Sequence, residues 1–582
     1  MCSNKTNRNE QNSNALGSFI AVKNKKYMLM KKIIYAFACL TVIVTIAACS
    51  KEDINSEPVQ YVQADKIYGN SLHITQAVNR LYSYVPRGYN RLGGNSMVAS
   101  ATDEAVHASQ GSEAELWGTG LWGTTTFTLR DDDFERTYEG IRATYVYTEE
   151  IHPKIIDAVM TKANSDIQYG QVIFMRALLN FELLKRYGGY PIVKKLLQPN
   201  DNLNIPKSSY DECVQYISAL CDEAITVLPV VHATADFGRA TKGAAMALKA
   251  RMLLYAASPL NNASNAIAKW QSAAAASAEI INLNSGGKVY DLYTTGTGYD
   301  AFFNILTPNK EIIFLRNEGN SNTIERQNGP VGITGGEGGT NPTLDLVNAY
   351  ERIDGTPFSW SNPVHAASPF TNRDPRFAKS ILTNGASWMG TTIETFDGGK
   401  DKVGARATRT GFYLRKFLSP SARWTAPVGT APHSFPLYRY GEVLLNYAEA
   451  MNEAFGPDIP STFGMTARQA ITLIRTRAGF TANQSVPAAN SQASMRTAIR
   501  NERRIELAFE EHRHLDLRRW KIAEQVLTQA VSGLKIVKNG NGTFTYTPEV
   551  VEKRVFQTKM YFYPFPQDEI GRNSSLVQNT GW

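Results

Sequence analysis

Apolar residues recur at alternating steps of three and four along much of the chain, and most cleanly near its C-terminal end. Leu437, Tyr440, Leu444, Tyr447, Met451 and Ala454 lay one apolar stripe along a helix. A second helix is predicted over Ala467–Ala478, ending at Gly479, a residue suited to the left-handed position after a helix. A third is predicted over Ser491–His512, with Met495, Ala498, Ile499, Ile505 and Phe509 on one side. Earlier in the chain, helices are expected over 71–85, 134–160, Gln171–Tyr187, Tyr210–Leu228, Lys242–Ala257 and Ala266–Leu283. Gly188-Gly189 stops the Gln171–Tyr187 segment, and the alanines within Lys242–Ala257 are small enough for close helix approach. Between Gly286 and Pro436 the periodicity disappears. Gly, Asn, Ser, Thr and Pro dominate there, with short strand-like pieces such as Glu311–Leu315. So long a non-helical stretch inside a helical chain usually carries function. The pattern predicts a mostly α protein, with helices over about 71–285 and 436–530 around an irregular insert of about 286–435.

Two groups of charges interrupt these patterns. Glu502 projects from the apolar side of its helix, and a carboxylate among apolar residues needs a cationic partner. Arg503, Arg504, Arg518 and Arg519 are the available candidates, and the cluster reads as a structural ion-pair network rather than a catalytic one. Asp131-Asp132-Asp133 invites a calcium or catalytic reading. Aspartate at an N-cap, beside the positive end of a helix, is the commoner explanation and is the one expected here.

Charge and length then narrow the class. The 582 residues, 43% hydrophobic, can bury a sizeable core. Of the formal charge of +8, residues 1–49 supply +6, because they hold seven basic residues and one acidic one. The remainder is nearly neutral and gives no electrostatic case for nucleic acid. Lys31-Lys32, the apolar run Ile33–Ile46 and Ala47-Ala48-Cys49 read as a secretory signal. The run is shorter than the ~20 residues that span a bilayer as a helix. Ile46-Ala47-Ala48-Cys49 resembles a bacterial lipobox, which makes Cys49 the expected acylation site. The signal is expected over 28–49, starting at Met28 or Met30, with 1–27 as an upstream extension and 50–66 as a polar tether. Lys51-Glu52-Asp53 resembles a tag that sends lipoproteins to the cell exterior. Beyond the leader only Cys213 and Cys221 remain. On one helix they would stand about 12 Å apart, too far for a disulfide.

Motifs of catalysis are scarce. There is no His-Glu-x-x-His and no Gly-x-Ser-x-Gly, and the glycine-rich stretch 332–339 lacks the Lys-Ser/Thr ending of a phosphate-binding loop. His512 and His514 do not share a helix face, so no metal and no cofactor are expected. Paired carboxylates leave glycosidase chemistry formally open. The tryptophans are more informative. Trp270, Trp520 and Trp582 sit in patterned segments and read as packing, whereas Trp117, Trp122, Trp360, Trp388 and Trp424 lie in segments rich in Gly, Ser, Thr or Pro. An exposed indole offers a flat apolar face on which the C–H face of a sugar can stack.

Three motifs carry a family resemblance. Leu437–Ala450 resembles the "RxxEvyLnyAEA" helix of the SusD/RagB family of outer-membrane nutrient-binding lipoproteins, and Ile474–Phe480 resembles its "IRxRAG" helix end. Asn501–Glu510, followed by Arg513 and Asp516–Trp520, resembles its "ERRxELaFEgxRxxDLrRW" signature, with His512 where the family often has glycine. Weaker landmarks are Ala101–Ala105, Tyr138–Arg142, Tyr190–Val193 and Asn372–Phe377, together with Tyr561–Trp582, so that the resemblance spans about residue 65 to the last residue. It implies a tetratricopeptide-like scaffold of helix pairs, one domain over 67–582, with the ligand subdomain in the irregular insert. It further implies a surface-exposed, lipid-anchored, non-enzymatic protein that captures oligosaccharide and delivers it to a TonB-dependent outer-membrane transporter of the SusC type. Trp117, Trp122, Trp360 and Trp388 are its candidate ligand residues. RagB-like binding of peptides, a tetratricopeptide interaction scaffold and a surface glycoside hydrolase are the alternatives.

Overall fold

Five helices follow one another in chain order, each packed on the next. In the computed structural model, which describes residues 68–124, 129, 131–295, 298–404, 407–481 and 489–582, α1 spans Ser71–Leu81 and the serial array begins with α2, Phe134–Tyr145. It continues through α3 (Lys162–Tyr187), α4 (Tyr210–Val227), α5 (Lys242–Ala257) and α6 (Ile267–Ile281). Local chemistry sets these boundaries. The Thr161 side chain accepts from the Asn164 N–H ahead of α3, and Ser209 with Glu212 forms a reciprocal cap on α4. Nearly every position of α5 is buried, as its alanines allow. Cys213 and Cys221 are both buried free thiols on α4. The predicted leader, with Met28, Met30 and Cys49, and the tether 50–66 lie outside the described residues.

The array does not stop at the insert. Helix α7 (Tyr440–Phe455) packs directly on α6, and α8 (Ala467–Ala478) and α9 (Gln492–Glu506) pack on α7. Two helical stretches far apart in sequence therefore form one stack. Gly479 holds φ +108 and donates its N–H to the Arg475 and Thr476 carbonyls, the expected left-handed end of α8. Four expected boundaries are corrected. The 134–160 segment leaves α geometry after Tyr145 and passes through a π turn, Val146–Ile151, to a short 3₁₀ turn containing Pro153, which has no N–H to donate. Helix α3 begins at Lys162, well before Gln171. Leu437 lies in a strand, not on α7. The Ser491–His512 helix ends at Glu506, because Phe509 and Glu511 both turn to φ +64 before α10 (Arg513–Arg519) starts.

Among the described residues, six strands are longer than a residue pair: β1 (Ala105–His107), β2 (Ile312–Ser321), β3 (Thr340–Pro342), β4 (Ala431–Arg439), β5 (Ala530–Lys538) and β6 (Phe544–Lys553). They form three antiparallel pairs, β1 with β3, β2 with β4, and the hairpin β5–β6, in which Phe544 opposes Lys538. The insert carries its own hydrophobic core, distinct from that of the helices. Phe302, Phe303, Trp388, Phe412 and Phe417 meet Phe509 and Ile536 there.

A buried ion-pair network joins α8 and α9 to the insert and to β4. Glu502 does pair with guanidinium groups, but with Arg376 at 2.5 Å and Arg475 at 3.0 Å rather than with Arg503, Arg504, Arg518 or Arg519. Those four each have other partners: Arg503 pairs with Asp516 at 2.7 Å, Arg504 with Asp103 at 2.7 Å, and Arg519 with Glu449 at 2.6 Å. Arg518 donates to the Met560 carbonyl and to His514. Arg503 and Arg504, one and two residues on from Glu502 along α9, face other sides of the helix, and Arg518 and Arg519 lie on a separate helix beyond the break after Glu506. Glu506 is shared by Arg376, Arg439 and Arg477. Burial alone would lift its carboxyl, but Arg477, Arg439 and Arg376 together hold it well below the usual carboxylate range. Asp131 is likewise an ion-pair partner of Arg186 and Arg91, not a helix cap, and the Asp133 side chain makes no capping bond. Only Asp132 accepts a helix-start N–H, from Phe134 at 3.3 Å.

The two ends of the described chain are clasped together. Arg513 and Arg504 grip Asp103, and the Val98 N–H donates to Glu511. Arg554 donates to the carbonyls of Ser100, Thr102 and Ala105. Its guanidinium passes so close to Gly118 that a Cβ there would stand 1.8 Å from Nη1.

Candidate functional site

The expectation that the loop tryptophans stand open as platforms is corrected for three of the four. Trp117, Trp122 and Trp388 are 4%, 6% and 3% exposed. Residues 113–118 form a short helix capped by Ser112, and this turns Trp117 inward against His514 (4.5 Å), Tyr563 (5.9 Å) and Trp122 (6.3 Å). Trp122 then packs on Trp582 at 4.6 Å. Trp388 sits in a two-residue strand facing the insert core. Trp360 is half-buried: its Nε1 donates to Asn348 Oδ1 at 3.0 Å, and its ring lies 6.4 Å from that of Tyr546. Trp424, also half-buried, donates to the Thr334 carbonyl of the glycine-rich loop and lies over Gly329 just before it, where a Cβ would stand 2.3 Å from the indole and 2.5 Å from the Glu325 carbonyl. The indole and the Glu325 carbonyl together explain that glycine. Trp270, Trp520 and Trp582 are packing residues, as expected, each with its indole N–H bonded.

What the structure brings together instead is a polar cleft of about 410 Å³. Three segments wall it: the loop after β1 with Ala108 and Gln110, the insert with Asp397, Val403, Gly404 and Arg409, and the β5–β6 hairpin with Lys535 and Glu549–Val551. Backbone hydrogen bonds fix the walls to one another. The Leu534 N–H donates to the Thr410 carbonyl at 2.8 Å and the Asp397 N–H to the Ile536 carbonyl at 2.8 Å, so the insert extends the hairpin on its free edge. The Ala108 N–H donates to the Gly339 carbonyl, tying the N-terminal loop to the insert. A Cβ on Gly533 would stand 2.7 Å from the Thr410 Cα, so this close approach needs glycine.

Arg409 is the tie that crosses all three walls. It donates to the His107 carbonyl at 3.2 Å, to Glu552 at 3.0 Å and to Glu115 at 3.3 Å. Burial lifts the Glu552 carboxyl above its ordinary value, against the pull of Arg554 and Arg409. Burial also lowers the His107 imidazole, whose Nδ1 accepts from the Ser109 N–H at 3.2 Å. Around this buried frame stand groups with freedom to bind. The Lys535 and Asp397 side chains are 47% and 56% exposed and 4.0 Å apart, at the outer limit of an ion pair. Gln110 and Glu549 are exposed beside them, and Val550 is 63% exposed. Donors, acceptors and apolar patches thus alternate around a space in the range of small-ligand pockets. Sequence reasoning singled out none of these cleft residues. A signal did exist for one wall: Asn539-Gly540-Asn541-Gly542 between two alternating runs is a hairpin signature.

The chain is similar to known proteins over most of its length. The profile of the SusD family matches residues 310–582, and a second profile, described as starch-binding and associating with the outer membrane, matches residues 63–254. SusD-like protein P25 of Formosa agariphila is 24% identical over 64% of this chain and 67% of its own. Among solved structures, a SusD-like protein from Bacteroides fragilis superposes with a TM-score of 0.75 at 27% identity, covering 90% of this chain and all of that one. A laminarin-binding SusD-like protein shares the fold with a TM-score of 0.63 at 20% identity, over 88% of this chain and all of its own.

Proposed function

Because this chain belongs to the SusD family, we propose that it is a cell-surface lipoprotein that binds oligosaccharide or polysaccharide in the polar cleft. On this reading it is anchored to the outer membrane through Cys49, faces the exterior, and passes its ligand to a TonB-dependent transporter of the SusC type. The observation that carries the reading is the convergence of Gln110, Asp397, Lys535 and Glu549, from three distant segments, around a solvent-open space. Hydroxyl-rich ligands need many moderate hydrogen bonds to both donors and acceptors, and this wall supplies both. The description of one matching profile as starch-binding, and a laminarin-binding neighbour of the same fold, support a glycan over a peptide. A glycosidase general acid sits among apolar walls that keep its proton on. Asp397 and Glu549 stand in water, and Glu552, though lifted by burial, is tied to Arg409 and Arg554, which supports capture without turnover.

A glycan array followed by calorimetry on the soluble protein tests the reading. Arg409→Met is expected to weaken binding of the best array hit at least about tenfold, because the loosened walls no longer hold one geometry. The bound sugar is expected back chemically intact. Unchanged affinity in Arg409→Met would move the site elsewhere, and shortened sugar would replace capture by hydrolysis.

A further inference from the structure

A second cavity, of about 50 Å³, lies where the clasp meets the helical stack. Its walls come from the segment 86–98, α3, α5, β4 and residues 510–515, and it admits a small ion together with water. Five of its charged side chains form one alternating chain. Arg91 pairs with Asp131, Asp131 with Arg186 at 3.1 Å, Arg186 with Glu182 at 2.6 Å, and Glu182 with Lys185 at 2.6 Å. None of the five is more than 11% exposed, and a cation stands at each end, so three positive charges face two negative ones. Arg251 and Glu510 line the same space, but Glu442 engages the first, and Arg439 with Lys416 the second. Glu511 is the one further carboxyl in the wall. It makes no ion pair among the described residues, and burial pushes it up to about 8, so it keeps its proton at pH 7. The extra positive charge of the chain therefore lacks a counter-charge, in a setting where that is costly.

The hydrogen-bonding count points the same way. An ammonium has three donors, and Glu182 is the one partner of the Lys185 Nζ among the described residues. Burial pulls this ammonium down to about 8, with Glu182 opposing, which leaves it charged at pH 7. Arg91 has no partner beyond Asp131 among the described residues, and exposed Arg87, also in the wall, has none. Burial and the cations around it, Arg251 first, keep His512 neutral, and its Nδ1 accepts from Arg503 at 3.4 Å. The ring hydrogen then sits on Nε2, a further donor without a partner among the described residues. Donors thus outnumber acceptors around a space of net positive charge. Water can accept from those donors but brings no charge. We propose that this cavity is a binding site for a small monovalent anion of the halide class, held by Lys185, Arg91 and His512. A halide accepts from several donors at once and cancels the charge that the buried chain leaves uncompensated. Seated there, it joins α3 to the segment 86–98 and to residues 510–515. The site shares no residue with the glycan cleft and does not depend on that reading.

Crystals grown in sodium bromide test the proposal through anomalous scattering at the bromine edge. A bromide peak is expected in the cavity beside Lys185 Nζ. In solution, sodium bromide replaces sodium gluconate at constant ionic strength and pH 7, and the melting temperature is expected to rise saturably, by about 2 °C. Lys185→Met removes one charge and leaves Glu182 its pair with Arg186, so the variant is expected to lose both the peak and the saturable rise. Lys249→Met, which breaks a surface pair with Asp222, is expected to keep both. If Lys185→Met does not fold, His512→Phe takes its place, since it removes a donor and fills the space. Wild-type crystals with no anomalous peak in the cavity overturn the proposal, because water alone then fills it. So does a bromide response equal in the wild type and the cavity variant, which marks a general salt effect.

Discussion

The molecule keeps its charges in two settings that share residue types and little else. Around Glu506, side chains such as Arg376, Arg439 and Glu502 are at most 2% exposed, and each has defined partners in every direction. In the cleft, Lys535 and Asp397 are half in water, and their one mutual contact is 4.0 Å long. A charge removed from water without partners costs several kcal/mol, so the buried set is locked by necessity, and whatever it binds is already bound. The exposed set gives up only solvent when a ligand arrives. On the proposed reading, charge density does not mark the binding place; unspent hydrogen-bonding capacity does. Arg409 lies between the settings, with a buried guanidinium that organises exposed neighbours.

The contrast predicts graded outcomes. The largest effect is expected from Glu506→Ala, which leaves Arg376, Arg439 and Arg477 facing one another. Loss of one buried partner typically costs about 3–5 kcal/mol, and this carboxylate serves three. Chemical denaturation is expected to show at least that loss, while the folded fraction binds saccharide normally. A variant as stable as the wild type would show that the network is not structural. Next comes Trp117→Ala. An interior indole removed from a packed cluster costs about 3–5 kcal/mol, so the melting temperature should fall without a change in ligand preference. If binding disappears while stability holds, the comparison is wrong on the side of the aromatics. Lys535→Ala is expected to leave the melting curve unchanged and to cost about 1 kcal/mol of binding, about fivefold. A stability loss there would mean that the cleft charges are structural after all.

The smallest effect is a slope. Burial pushes the Glu511 carboxyl up to about 8, with Arg91 opposing and Asp131 adding, and it accepts from the Val98 N–H at 2.9 Å. A carboxyl whose folded value lies above its ordinary one keeps its proton in the folded protein. Its contribution is complete below about 4.5 and fades as the pH rises through about 8. Glu511→Gln removes that fade. The melting temperature of the variant relative to wild type is expected to climb between pH 5 and 9, and a flat difference across that range would refute the assignment.

Most of the scaffold was legible, and for identifiable reasons. Helices such as Lys242–Ala257 and Ala467–Ala478 are decided locally, by period, caps and a terminal glycine, so sequence alone places them. The break after Glu506 was not visible, because it depends on two non-glycine residues held at positive φ by tertiary packing. Trp117 shows the same limit from the other side. Its segment looks like a loop in composition, yet it is pinned beneath Tyr563 and Trp582, hundreds of residues later. The cleft was illegible for a geometric reason: Gln110, Arg409 and Lys535 become neighbours only when β5 is flanked by the insert, and no local pattern records that pairing.

The clasp between the two ends of the described chain has a consequence for how the protein is made. Asp103 waits for Arg504 and Arg513 and the carbonyls around Ala105 wait for Arg554, so the early segment lacks its last partners until nearly the whole polypeptide has emerged, even though β1 meets β3 earlier. Contacts of such sequence separation make closure slow and put it late. The two stretches that separate family profiles match, 63–254 and 310–582, are therefore not independent bodies that could be expressed apart. A chain cut between them would leave α6 without α7 and a buried carboxylate without its guanidinium groups, and each fragment would present apolar surface to chaperones and proteases in place of a native state.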